Sequence, residues 1–192
     1  MKSKKCKVCK EEYQPWNSLQ KVCSPKCAIV HTKNEKQKAR RRDTRKRKEA
    51  LKTKSDWLKE AQTAFNAYIR ERDRGNVCIS CGKSEQELKI DNPISMVCGH
   101  FLSVGSHPEL RYNPMNANLQ CTRCNGGAGK YGQFNSKAKT VTQEYRENLI
   151  KKIGQASVEW LEGPHKAQNW TVLDIKEIKQ WYKDQLKNLK NG

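Results

Sequence analysis

The sequence predicts an α+β fold in which small sheets are braced by zinc and flanked by helices. Eight of the nine cysteines fall into close pairs, Cys6/Cys9 with Cys23/Cys27 and Cys78/Cys81 with Cys121/Cys124. Hydrophobic residues are 35% of the 192 and charged ones 31%, too thin an apolar supply for one large core. Metals are the usual substitute where small modules bury too little surface.

Lys and Arg number 39 against 20 acids, a net charge of +19. Zinc-bound cysteines are thiolates, so two four-cysteine sites lower this to about +15. A polyanion is the expected partner, bound through phosphate neutralisation and counterion release. No apolar run approaches membrane-spanning length, and residues 1–5 leave no room for a signal peptide before Cys6. The expectation is a cytoplasmic protein with no membrane contact. There the two- and three-residue cysteine gaps suit zinc knuckles better than disulfides.

Residues 1–30 form the first module, an N-terminal zinc knuckle with Ser24-Pro25 as its turn. Four cysteine ligands leave no open coordination position, so this Zn²⁺ holds a fold and does no chemistry. Residues 31–55 are a basic arm. Twelve Lys or Arg face three acids (Glu35, Asp43, Glu49) between 33 and 54, with no apolar stripe. The segment is either a solvated linker or a DNA-backbone arm, with order gained only on binding. In the second reading Arg40, Arg41, Arg42, Arg45, Lys46, Arg47 and Lys48 contact phosphates.

Residues 56–139 hold the predicted core. Trp57, Ala61, Ala64, Phe65, Tyr68 and Ile69 recur at helical spacing, and Asp73-Arg74-Gly75-Asn76 ends that helix with a turn. Strands are expected at 97–103 and 119–120, with a helix starting at Thr122 and a second structural Zn²⁺ behind them. Residues 140–192 are read as a helical cover. Thr140 and Gln143 make a capping box before the stripe Val141, Tyr145, Leu149, Ile153, which Gly154 stops. A short helix near 156–161 follows, and Thr171 with Asp174 opens a last helix carrying Ile175, Ile178, Tyr182 and Leu186. These helices either cover the core or form a subunit interface.

Between the second cysteine pairs lie Gly99-His100-Phe101, Asn116 five residues before Cys121, and Asn125 directly after Cys124. This pattern resembles the HNH nuclease superfamily, with its zinc-braced ββα-metal core. The chain also resembles the lambda NinG (Rap) recombination endonuclease family over most of its length. The N-terminal knuckle, the basic arm and the run from Phe65 to Arg74 carry that likeness. So do Cys78-Ile79-Ser80-Cys81-Gly82, Leu110-Arg111-Tyr112-Asn113, Gln120 to Asn125 and Lys152-Ile153-Gly154-Gln155-Ala156.

The resemblance implies metal-dependent, structure-selective cleavage of branched DNA, including Holliday junctions and D-loops. If phage-encoded, the protein would act in the host cytoplasm, with phage recombination proteins as further partners. His100 is the expected base, since neutral imidazole suits neutral pH. Asn125 is the expected ligand of a catalytic Mg²⁺ or Mn²⁺, and Asn116 the residue that positions the base-bearing loop. Cys98 and Gly99 stand where the family usually has a carboxylate or histidine beside the base. His107 and Asp91 are the candidates to complete the metal shell. Arg111 either contacts the scissile phosphate or pairs on the surface, and Lys130 lies where glycines let DNA come close. Cutting two strands of a four-way junction needs two active sites, so a homodimer is expected. A non-enzymatic zinc-dependent nucleic-acid-binding protein is the alternative, and a zinc-ribbon adaptor the third reading.

Overall fold

A computed structural model of the chain describes residues 2–89, 95–127 and 136–191. The chain divides into two compact units, Met1–Lys52 and Thr53–Gly192. It is mostly helical, with small two-stranded sheets.

In the first unit, strands β1 (Lys4–Lys5) and β2 (Glu12–Tyr13) pair antiparallel, Lys4 against Tyr13 and Lys5 against Glu12. The chain then enters helix α1 (Pro25–Ala50). Ser24 is its N-cap, and its hydroxyl accepts the Cys27 N–H at 3.3 Å. Pro25 at the first helical turn forfeits only a donor that would have been orphaned there. The turn expected at Ser24-Pro25 is therefore a helix start, and knuckle and basic segment share one continuous element. None of the 26 residues of α1 is buried.

The second unit begins with α2 (Lys54–Arg72), opened by a full capping box between Thr53 and Asp56. Its stripe buries Trp57, Ala61, Ala64, Phe65 and Ile69, packed against Ile175 and Tyr182 of α7 (Val172–Asn191). Phe65 meets Tyr182 edge-on at 4.9 Å between ring centroids, a favoured aromatic geometry. Lys176 and Lys179 lie over the Trp57 ring at 4.5 and 5.0 Å, and Lys179 also pairs with Glu60 at 2.7 Å. So α7 covers the core, and Thr171 with Asp174 does cap it, exchanging bonds of 2.8 and 3.2 Å.

A short helix, α3 (Glu85–Lys89), precedes the hairpin of β3 (Met96–His100) and β4 (Ala117–Cys121). The antiparallel register runs from Met96 opposite Cys121 to His100 opposite Ala117. Helix α4 (Thr122–Gly127) leaves β4 directly and packs against both strands. Then come α5 (Ser136–Ile153) and α6 (Gln155–Glu162). A second core cluster joins Tyr145 and Leu149 of α5, Val158 and Leu161 of α6, and Leu110. Because α5 starts at Ser136, positions 140 and 143 lie inside the helix and not at its start. Gly154 does stop it, with φ of +87° and its N–H on the Ile150 carbonyl at 2.8 Å. Among the described residues no helix is long and apolar enough to cross a membrane.

Candidate metal centres and the His100 hairpin

Both cysteine quartets assemble. In each, the four Sγ atoms lie within 4.8 Å of one another. A tetrahedral zinc with bonds of about 2.3 Å requires sulfurs about 3.8 Å apart. Cys9 and Cys23 are 3.5 Å apart, Cys23 and Cys27 3.7 Å, and Cys81 and Cys121 4.0 Å. A disulfide would need about 2.05 Å, and all nine cysteines are free. Backbone donors also aim at the sulfurs. The N–H groups of Val8 and Cys23 point at Cys6 Sγ, that of Cys121 at Cys78 Sγ and that of Cys124 at Cys121 Sγ, at 3.3–3.4 Å. Such donors favour thiolate over thiol. The chemistry and spacing fit two structural Zn²⁺ sites with closed shells.

Cα partners in a sheet share a face, so His100 and Ala117 point the same way as Met96 and Cys121. Four residues of strand separate them, about 13 Å. The zinc quartet thus anchors one end of the hairpin and His100 occupies the other. His100 is partly buried, and its ring lies 5.6 Å from that of Phe65. Its Nε2 sits 3.1 Å from the Arg111 carbonyl oxygen. A carbonyl only accepts, so Nε2 carries the proton and Nδ1 keeps its lone pair. Burial lowers the His100 pKa below its ordinary value; the bond to the Arg111 carbonyl opposes this, and the Arg111 charge reinforces it. The imidazole is therefore neutral at pH 7.

The loop beyond His100 is tied down by Asn116, which is fully buried. Its Oδ1 accepts the Leu102 N–H at 2.8 Å, and its Nδ2 donates to the carbonyls of Leu102 (3.0 Å) and Leu110 (3.4 Å). Its own carbonyl takes the Phe101 N–H at 2.8 Å. Gly99 is required by contact. A Cβ there would lie 2.9 Å from the Cβ of Gln120, a buried side chain held to Ser80 Oγ at 2.7 Å.

A polar hub that sequence reasoning missed sits beside the hairpin. Asp73, placed in a turn from sequence, is 2% exposed and accepts four hydrogen bonds. Arg72 gives two, Nε to Oδ1 at 2.9 Å and Nη2 to Oδ2 at 2.7 Å, Lys152 gives one at 3.0 Å, and the Leu119 N–H one at 3.1 Å. Burial alone would raise the Asp73 pKa, but the bonds and charges of Arg72 and Lys152 overcome it and hold it below the usual carboxylate range. Arg72 also donates to the carbonyls of Pro114 and Ala117, flanking Asn116. Lys152 reaches Asn118 Oδ1, and Tyr145 accepts from Asn118 Nδ2 while donating to the Gly99 carbonyl at 3.0 Å. Positions 73, 118 and 152 share no local motif, so only the fold reveals their meeting.

The remaining predicted residues divide. Asn125 is exposed on α4, one residue past the zinc ligand Cys124. His107 Nδ1 lies 3.1 Å from Glu109 Oε1. Asp91 and Lys130 lie outside the described residues. No described carboxylate completes a metal-ligating trio with His100. Arg111 makes no ion pair among the described residues. Cys98 joins neither quartet, and burial pushes its thiol up to about 12. Arg40, Arg41, Arg42, Arg45, Lys46, Arg47 and Lys48 are all exposed on α1.

Together these features define a strongly basic α+β protein with two four-cysteine metal centres and a histidine-tipped hairpin. The chain belongs to the NinG family: the family model described as Bacteriophage Lambda NinG protein matches residues 1–192. It is similar to Protein ninG of Escherichia phage lambda, 35% identical over 209 residues that cover 98% of this chain and 94% of that one. Protein ninG of Escherichia phage 933W is 35% identical over 207 residues, with 98% and 94% covered. That of Salmonella phage P22 is 35% identical over 209 residues, with 98% and 95% covered. No solved structure matches the chain.

Proposed function

We propose that this protein is an HNH-type DNA endonuclease that nicks branched recombination intermediates, such as Holliday junctions and D-loops, in a divalent-metal-dependent way. The observation that carries this reading is the state of His100. Its Nε2–H is committed to the Arg111 carbonyl, its Nδ1 lone pair is available, and burial keeps the ring neutral. Nδ1 takes a proton from water as the water oxygen attacks phosphorus; the P–O3′ bond breaks to leave a 5′-phosphate, and the departing O3′ takes a proton from solvent to become the 3′-hydroxyl. Arg111 holds the phosphate, and Asn116 keeps the loop in place. A catalytic Mg²⁺ or Mn²⁺ would neutralise charge on the phosphate; Asn125 is its proposed ligand, with His107 and Asp91 as further candidates. The working form is a homodimer, one active site per strand cut, serving phage recombination proteins in the host cytoplasm.

One observation favours a second reading, a non-enzymatic zinc-dependent nucleic-acid-binding protein: no described carboxylate joins His100 in a metal-ligating group. A four-way junction and a matching linear duplex, incubated with zinc-loaded protein with and without Mg²⁺ or Mn²⁺, separate the two. The nuclease reading expects metal-dependent nicks in the junction, and their loss by at least about 100-fold in His100→Ala with junction binding retained. Binding without product under either metal sinks it in favour of the binder.

A further inference from the structure

Helix α1 is basic in a patterned way. At about 100° per residue, Gln37 and Thr44 share one line along the helix. Lys33, Lys36, Arg40 and Arg47 fall on one flank of that line, centred about 60° away. Lys38, Arg41, Arg45 and Lys48 fall on the other, centred about 70° away. The far face, more than about 100° from the line, holds the three acids Glu35, Asp43 and Glu49 with Ala39, Ala50 and two bases, Arg42 and Lys46. Two of those acids spend themselves on exposed intrahelical pairs, Glu35 with Lys38 at 3.1 Å and Asp43 with Arg47 at 3.0 Å. The two flanks thus carry eight bases and no acid, and the far face two bases and three acids.

We infer that α1 inserts lengthwise into the major groove of duplex DNA, with the Gln37–Thr44 line facing the floor and its two basic flanks on the opposite phosphate walls. This rests on the DNA reading above and deepens it, because the sequence alone suggested only an arm that contacts the DNA backbone. The dimensions agree. A helix is about 10–12 Å across with side chains, and the groove about 12 Å wide. The exposed stretch 32–50 spans about 28 Å, or about 8 base pairs at 3.4 Å each. Past the metal-bound first turns, every residue from 32 to 50 is exposed, which leaves that stretch's circumference free for both walls. Amide and hydroxyl on the midline offer polar contacts to base edges with neither a charge nor a large apolar group.

The experiment uses the full zinc-loaded chain without Mg²⁺ or Mn²⁺, so that binding is read apart from cleavage. One duplex is compared plain, with glucosylated hydroxymethylcytosine filling its major groove, and with distamycin filling its minor groove. Insertion expects the sugar to weaken binding by about tenfold or more and distamycin to leave it nearly unchanged. Equal effects, or a larger effect of distamycin, overturn it. The two flanks are then neutralised separately, as K36Q/R40Q/R47Q and R41Q/R45Q/K48Q. Each should flatten the salt slope by up to about 2.7, at about 0.9 per phosphate; an unchanged slope for either flank overturns the two-wall geometry. Inactive but DNA-bound protein would sink the nuclease reading and leave this one standing. Failure to bind any duplex would sink the DNA reading itself.

Discussion

Asp73→Asn tests the polar hub most directly. The carboxylate receives Arg72 Nε and Lys152 on Oδ1, and Arg72 Nη2 and the Leu119 N–H on Oδ2. Whichever oxygen the amide nitrogen replaces, two of the four donors lose their acceptor and face another donor. Each charged hydrogen bond contributes about 1.5–3 kcal/mol, and breaking a buried pair costs about 3–5 kcal/mol. The expected loss is therefore about 3–5 kcal/mol, read by urea unfolding of the zinc-loaded proteins. The pH dependence has a fixed sign. The folded carboxyl is held below its ordinary value, so its contribution is full above the unfolded pKa of about 3.9 and fades as pH falls through the folded one. The gap between wild type and Asp73→Asn should stay level from about pH 8 to 5 and close only below about 3.9. A loss under about 1 kcal/mol, or a gap that already shrinks between those pH values, would refute the reasoning.

Gly99→Ala forces a Cβ to 2.9 Å from that of Gln120, an overpacking expected to cost about 1–3 kcal/mol in the same unfolding assay. If His100 is the base, cleavage should stay level through neutrality and fall only below about pH 6.5, where imidazole protonates; a pH–rate profile falling at higher pH removes it from that role. Cys9→Ser should open the first quartet and cost α1 its helicity. A solvated helix with so many like charges is marginal without a fixed start, and Cys27 lies in its first turn. Circular dichroism unchanged at 222 nm would show that α1 stands without its metal.

Patterns of local origin were legible in the sequence. The α2 stripe, the Thr171–Asp174 cap, the Gly154 stop and the two quartets all depend on residues a few positions apart or on metal chemistry. The strands were placed, but the first was extended to 103, past the point where Asn116 takes over the Phe101 and Leu102 donors. Ser24-Pro25 misled because a serine before proline serves a turn and a helix start equally well. Thr140 misled because a capping box has meaning only where the helix begins. Asp73 was invisible because its partners arrive from α5 and β4, 79 and 46 residues away.

The β3–β4 pairing fixes its sulfur-bound end and leaves the His100 end to be shaped by the insert between the strands. Change can then accumulate in residues 101–116 while the register behind them holds. A family built this way can retune what approaches its imidazole and leave the clasp intact.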